Sequence, residues 1–142
     1  MNAKKFEEWQ ESLEGVMYEL KVLGPTATIV EDKYVRLVAE TLLKLPKKVR
    51  RKVLDEAYFI VVAGYHGRVE KLHFIMNSEM PVILLNFSEM EKDGLSESRM
   101  MDTVAHEIAH FVLGHMVAGG AEREKEADDL IEKWGFRRAY KP

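Results

Sequence analysis

The run TVAHEIAHFVLGH, residues 103–115, sets the strongest constraint on how this chain folds. Residues four apart on an α-helix project from the same face, so His106 and His110 point the same way. Glu107 lies about 100° further round the helix. Burying two imidazoles and a carboxylate in an apolar run costs free energy unless a partner satisfies them. The pattern therefore predicts a helix with one polar stripe, and a metal ion as the partner of that stripe.

The residue types in the stripe suit zinc chemistry. Zinc binds neutral imidazole nitrogens at about 2.0–2.1 Å, and His106 and His110 supply two of them. Glu107 can reach a water molecule activated by the metal, which is the place of a general base. H-E-x-x-H on a helix is a signature of zinc metalloproteases. The alternative, a buried helix that carries histidines by chance, is less favoured because the polar residues form one stripe.

A catalytic zinc usually has three protein ligands. A second helix, predicted over about residues 121–134, follows Gly114 and a short connection. If the two helices form a hairpin, Glu124 lies opposite His110, and we predict Glu124 as the third ligand. Asp128 lies one turn further along and is predicted to orient a ligating histidine.

Two other residues near the helix ends are alternatives for the third ligand. Glu126 lies on the other flank of the second helix. His115 follows the end of the first helix and is interpreted as a capping or rim histidine. They are the next candidates if Glu124 is misassigned.

The motif HEIAH followed by EKEAD, residues 124–128, resembles the gluzincin zinc peptidases. Within that group it is similar to HtpX-like peptidases, to the small minigluzincins and to regulatory proteases of the ImmA/IrrE type. The resemblance covers about residues 100–136. It implies a zincin-like fold in which a glutamate on a later helix completes the zinc site.

Composition bounds the class of protein. The chain has 142 residues, 46% of them hydrophobic and 32% charged, a net charge of −3 and no cysteine. This predicts a single folded domain over residues 1–142. It excludes thiolate chemistry and disulfides, and it gives no signal for nucleic-acid binding. No signal peptide or membrane span is predicted, so a cytoplasmic location is expected.

The order of elements predicts an α+β fold. Residues 1–57 are predicted to be helical, including one amphipathic helix from about residue 6 to 20. Residues 58–90 are predicted to form a small, mostly antiparallel sheet. The active-site helix falls within 96–115 and the glutamate helix within 121–135.

The expected function is a zinc-dependent endopeptidase acting on a peptide or protein. In that mechanism Glu107 deprotonates a metal-activated water. The alternatives are a regulatory protease with one protein substrate and a zinc-stabilised, non-catalytic binding protein.

Two further parts of a peptidase site remain open in the sequence. The strand at residues 82–87 is a candidate edge strand that pairs with an extended substrate, and an ordinary core strand is an equal alternative. Tyr65, His66 and His73 are candidates for stabilising the oxyanion. Oligomeric state and cleavage specificity are not predicted.

Overall fold

The structure is a computed structural model that describes residues 2–23, 32–61, 67–73, 79–115 and 120–139. Its helices are α1 (Ala3–Gln10), α2 (Leu13–Tyr18), α3 (Asp32–Lys44), α4 (Lys47–Glu56), α5 (Phe87–Lys92), α6 (Glu97–Val112) and α7 (Gly120–Lys133). A π-helical turn, Glu19–Leu23, extends α2. The strands are β1 (Tyr58–Val61), β2 (Gly67–His73) and β3 (Glu79–Leu85). The predicted α+β class is confirmed, with helices in the majority.

The N-terminal helix is broken, so the predicted single helix over residues 6–20 is wrong. Ser12 is extended and caps α2, because its hydroxyl accepts a hydrogen bond from Gly15 N at 3.1 Å. A Cβ atom at Gly15 would lie 1.8 Å from the carbonyl oxygen of Trp9. Glycine therefore allows α2 to fold back closely against the end of α1.

The sheet has the strand order β1-β3-β2. β1 runs parallel to β3, with Tyr58 opposite Val82, and β2 runs antiparallel to β3, with Gly67 opposite Leu85. The prediction of a mostly antiparallel sheet is therefore corrected to a mixed sheet. The segment at residues 82–87 was a candidate edge strand, but β3 lies between two partners and has no open edge there.

The predicted sheet region, residues 58–90, also contains a helix. β3 ends at Leu85, and α5 begins directly afterwards. Asn86 caps this helix, because its side chain accepts a hydrogen bond from Glu89 N at 3.0 Å. The sequence Asn-x-x-Glu carries this N-terminal signal, which the apolar run before it obscured.

Helix α6 lies at the centre of the molecule. It contacts α3, α4, α7, β2 and β3. Every residue from Met100 to Phe111 is buried. A helix buried all round must satisfy its polar side chains inside the protein. In the part of the chain that the structure describes, no helix is long and apolar enough to cross a membrane.

Candidate metal centre

Three side chains from α6 and α7 converge on one point. His106 and His110 lie on α6, one turn apart, and Glu124 lies on the first half of α7. The distance from His106 Nε2 to Glu124 Oε2 is 2.6 Å. His110 Nε2 lies 3.1 Å from His106 Nε2 and 3.3 Å from Glu124 Oε2. This His-His-Glu cluster can hold a metal ion.

The spacing of the three atoms fits zinc. Ligand atoms around a tetrahedral zinc, at about 2.0–2.1 Å from the metal, lie about 3.3 Å from one another. The two separations from His110 Nε2, 3.1 and 3.3 Å, are close to that value, and the separation between His106 Nε2 and Glu124 Oε2, 2.6 Å, is shorter. The two imidazole rings are perpendicular, with centroids 4.7 Å apart. The histidine rings therefore meet edge to face and bring their Nε2 atoms together.

The hydrogen bond at His106 Nδ1 determines the protonation state of Nε2, the ring nitrogen that faces Glu124. His106 Nδ1 lies 2.8 Å from Asp128 Oδ1, and Asp128 is 1% exposed. A carboxylate only accepts, so Nδ1 carries the proton and the Nε2 of a neutral imidazole is bare. A bare nitrogen beside the Glu124 oxygen needs a cation between them. A proton bridges only two atoms, whereas a metal ion binds all three.

Asp128 is itself held in place by the C-terminal segment. Its Oδ1 also accepts a hydrogen bond from the backbone N–H of Ala139, at 2.9 Å. Arg138 Nε lies 3.9 Å from the other carboxylate oxygen. No local sequence pattern predicts this contact of residues 138 and 139 with α7.

Glu107 lies beside the cluster and is 7% exposed. Within the described ranges its carboxyl group makes no hydrogen bond or ion pair. Burial raises the pKa of Glu107 to about 8, and the negative charge of Glu124 adds to the rise. Burial also lowers the pKa of His110, and the neighbouring His106 lowers it further. Neutral imidazole is the form that binds zinc.

The alternative ligands lie outside the cluster. His115 approaches His110 from the other side of the ring, with 3.1 Å between the two Nδ1 atoms. Glu126 contacts His115 Nε2 at 3.1 Å. Neither residue therefore presents an atom to the point where the three ligand atoms meet.

The candidates for the oxyanion donor remain predictions from the sequence. Tyr65 and His66 lie outside the described residues, and His73 is the last residue of β2. Comparison with known proteins adds no identification: neither the protein-family models nor the curated proteins nor the solved structures contain a match to this chain.

Proposed function

We propose that this chain is a zinc-dependent endopeptidase of the gluzincin type. His106, His110 and Glu124 would hold the zinc ion, and Glu107 would act as the general base. The observation that carries the proposal is a buried carboxylate without a partner in the described ranges, next to three converging ligand atoms. A site that only stabilises a fold has no use for such a group, and structural zinc usually has four ligands.

A bound zinc ion would supply a Lewis acid, which polarises a peptide carbonyl and lowers the pKa of a water molecule. Side chains of the protein have the other two roles, the orientation of a ligand and the transfer of a proton. Asp128 holds His106 with Nε2 toward the cluster. The carboxylate of Glu107 takes a proton from the attacking water and passes it to the nitrogen of the leaving amine.

An extended substrate would pair with β2. Among the described strands, β1 and β2 lie at the edges and β3 is central. Helix α6 contacts β2, so a peptide added along this edge would run close to the helix that carries the site. Backbone hydrogen bonds of this kind bind a peptide with little dependence on its side chains. Residues 82–85 belong to the central strand β3, as the alternative interpretation of residues 82–87 as a core strand predicts.

The first test is the zinc content of purified protein, measured by elemental analysis. We expect about one zinc per chain in the wild type and a sharp fall in Glu124→Ala. Glu122→Ala is the matched control, because Glu122 is an exposed glutamate on the same helix. Full zinc in both variants would mean that Glu124 is misassigned. A wild type that takes up no zinc at neutral pH would remove the metal site altogether.

The second test is cleavage of an unfolded protein such as casein. We expect the zinc-loaded wild type to cut it and a chelator to stop the reaction. Zinc re-addition should restore cleavage. If the zinc-loaded protein cuts no unfolded protein, the general endopeptidase is wrong and cleavage of one specific protein is the next hypothesis. If chelation unfolds a protein that cuts nothing, a zinc-stabilised binding protein is favoured instead.

A further inference from the structure

A second series of polar contacts extends from His110 of the His-His-Glu cluster to His115 and on to Glu126. The Nδ1 atoms of His110 and His115 are 3.1 Å apart, and His115 Nε2 lies 3.1 Å from Glu126 Oε2. The side chain of His115 is 11% exposed, so it is largely shielded from water. A polar contact of this kind, on the far ring nitrogen of a ligating histidine, orients the ring and sets its proton position.

The end of α6 places His115 against His110. Gly114 has a φ angle of 76°, which is a left-handed conformation that favours glycine. The backbone N–H of Gly114 bonds to the carbonyl of Phe111, and that of His115 bonds to the carbonyl of His110 at 2.8 Å. These are the two bonds of a Schellman motif, which brings the side chain after the glycine back onto the last turn.

The same backbone motif ends two other helices, with different side chains. At the end of α5 it pairs Leu95 with Met90, and at the end of α7 it pairs Phe136 with Ile131. An apolar pair is the usual companion of this motif. At the end of α6 that pair is His110 and His115, and one of them belongs to the metal cluster. At the end of α6, a position that usually holds an apolar side chain therefore makes a polar contact instead.

The carboxylate of Glu126 determines which ring nitrogens of His115 and His110 carry a proton. A carboxylate only accepts, so the proton of a neutral His115 is on Nε2 and its Nδ1 is bare. His115 Nδ1 then accepts from the Nδ1–H of His110. This leaves His110 Nε2 bare, facing His106 and Glu124. The reverse assignment would set a bare His115 Nε2 against a carboxylate oxygen, which is two acceptors in contact.

We propose that His115, held by Glu126, is a positioning residue that fixes His110 with Nε2 turned toward the metal. It does for His110 what Asp128 does for His106. The two ligating histidines are thus oriented from two separate directions. The inference rests on the proposed metal site, but it is independent of whether that site cuts peptides.

The test is the zinc affinity of His115 variants, measured by competition with a chromophoric chelator. His115→Phe keeps a ring but offers no acceptor, and we expect affinity to fall about 10- to 100-fold. His115→Asn keeps an acceptor atom at the position of Nδ1 and should retain most of the affinity. Wild-type affinity in His115→Phe, or an equal loss in both variants, would overturn the proposal.

Glu126→Gln tests the outer contact. The Glu126 side chain is 49% exposed, so we expect a smaller loss of affinity than in His115→Phe. Glu122→Gln, on the exposed face of the same helix, is the matched control and should bind zinc like the wild type. An equal loss in Glu126→Gln and Glu122→Gln would assign the effect to net charge and overturn the role of Glu126.

Imidazole ¹⁵N–¹H spectra of the zinc-loaded wild type test the same inference without a substitution. We expect the proton of His115 on Nε2 and that of His110 on Nδ1. A proton on His115 Nδ1 would overturn the proposal even if the variants fail to fold. A wild type that binds no zinc would instead refute the metal site itself, so the two failures are distinguishable.

Discussion

Helix α6 buries two carboxylates whose surroundings are opposite in character. Asp102 is 3% exposed and Glu107 is 7% exposed. Asp102 accepts hydrogen bonds from Arg99 Nη1 at 2.9 Å, from Arg137 N at 3.1 Å and from Arg137 Nε at 3.3 Å. Glu107 has no such donor in the described part of the chain. One helix therefore carries a carboxylate with a full set of partners and another without them.

The difference separates a structural role from a chemical one. The ion pairs and backbone bond of Asp102 tie residue 137, and with it the C-terminal segment, to α6. Burying the carboxyl group of Glu107 without a hydrogen-bond partner in the described part of the chain costs free energy, and this cost appears as the raised pKa of the group. Such a group is retained at a cost to stability where chemistry needs it, which is the reason to look for catalysis there.

The largest effect expected from this comparison is on catalysis. Glu107→Gln removes the general base but keeps the size of the side chain. Peptide cleavage should fall about 100- to 10,000-fold, the usual contribution of a general base, while zinc content stays at the wild-type level. The measurement is kcat/KM on a quenched fluorescent peptide, beside zinc analysis of the same samples. Activity within a few-fold of wild type would show that Glu107 is not the base.

The next largest effect is the stabilisation of the fold by zinc. This stabilisation should depend on the His-His-Glu cluster near Glu107 and not on the contacts of Asp102. Free zinc at 100 times its Kd should raise the free energy of unfolding by about 2.7 kcal/mol. Thermal unfolding with and without zinc measures this gain. Glu124→Ala should lose it at the same zinc concentration, whereas Asp102→Asn should keep it. A loss of the gain in Asp102→Asn would mean that the two ends of α6 are not separate.

The convergence of His106, His110 and Glu124 was predictable from sequence because the spacing of these residues is local. His106, Glu107 and His110 lie within one helical turn, and the position of Glu124 follows from a short hairpin between two helices. The bounds of α3 and α4 were predictable for the same reason, since their apolar positions recur at helical spacing. In each case the relevant residues lie close together in the chain.

The features that the sequence analysis missed depend on distant partners. Arg137 bonds to Asp102, 35 residues away, and no periodic pattern announces that contact. The pairing of β1 with β3 joins residues 58–61 to 82–85, so strand direction and the central place of β3 are not local properties. The break between α1 and α2 depends on the close approach of Gly15 to Trp9. Secondary-structure propensity and hydrophobic periodicity do not predict such long-range contacts.

Asp102→Asn tests the structural half of the comparison. Asparagine keeps an acceptor for the backbone of Arg137 but loses the charge that pairs with two guanidinium groups. We expect the free energy of unfolding to fall by about 2 kcal/mol. This is below the cost of breaking a fully buried pair, because the Arg99 and Arg137 side chains are 24% and 64% exposed.

Urea denaturation of the metal-free protein measures the effect of Asp102→Asn. Glu8→Gln, at an exposed glutamate of α1, is the control and should change stability by less than about 0.5 kcal/mol. A similarly small change in Asp102→Asn would mean that the contacts of Asp102 with the C-terminal segment contribute little.

The smallest expected effect is a gain in stability, opposite in sign to the loss expected for Asp102→Asn. In the metal-free protein at neutral pH, Glu107→Gln should raise the free energy of unfolding by about 1 kcal/mol, because the pKa of Glu107, raised to about 8, makes the carboxyl group take up a proton on folding, a cost that the amide does not have. The gain is small since the new amide is also buried and needs partners. The same urea experiment compares it directly with Asp102→Asn. If Glu107→Gln instead loses as much stability as Asp102→Asn, then Glu107 has donors of its own, and its burial no longer argues for a catalytic role.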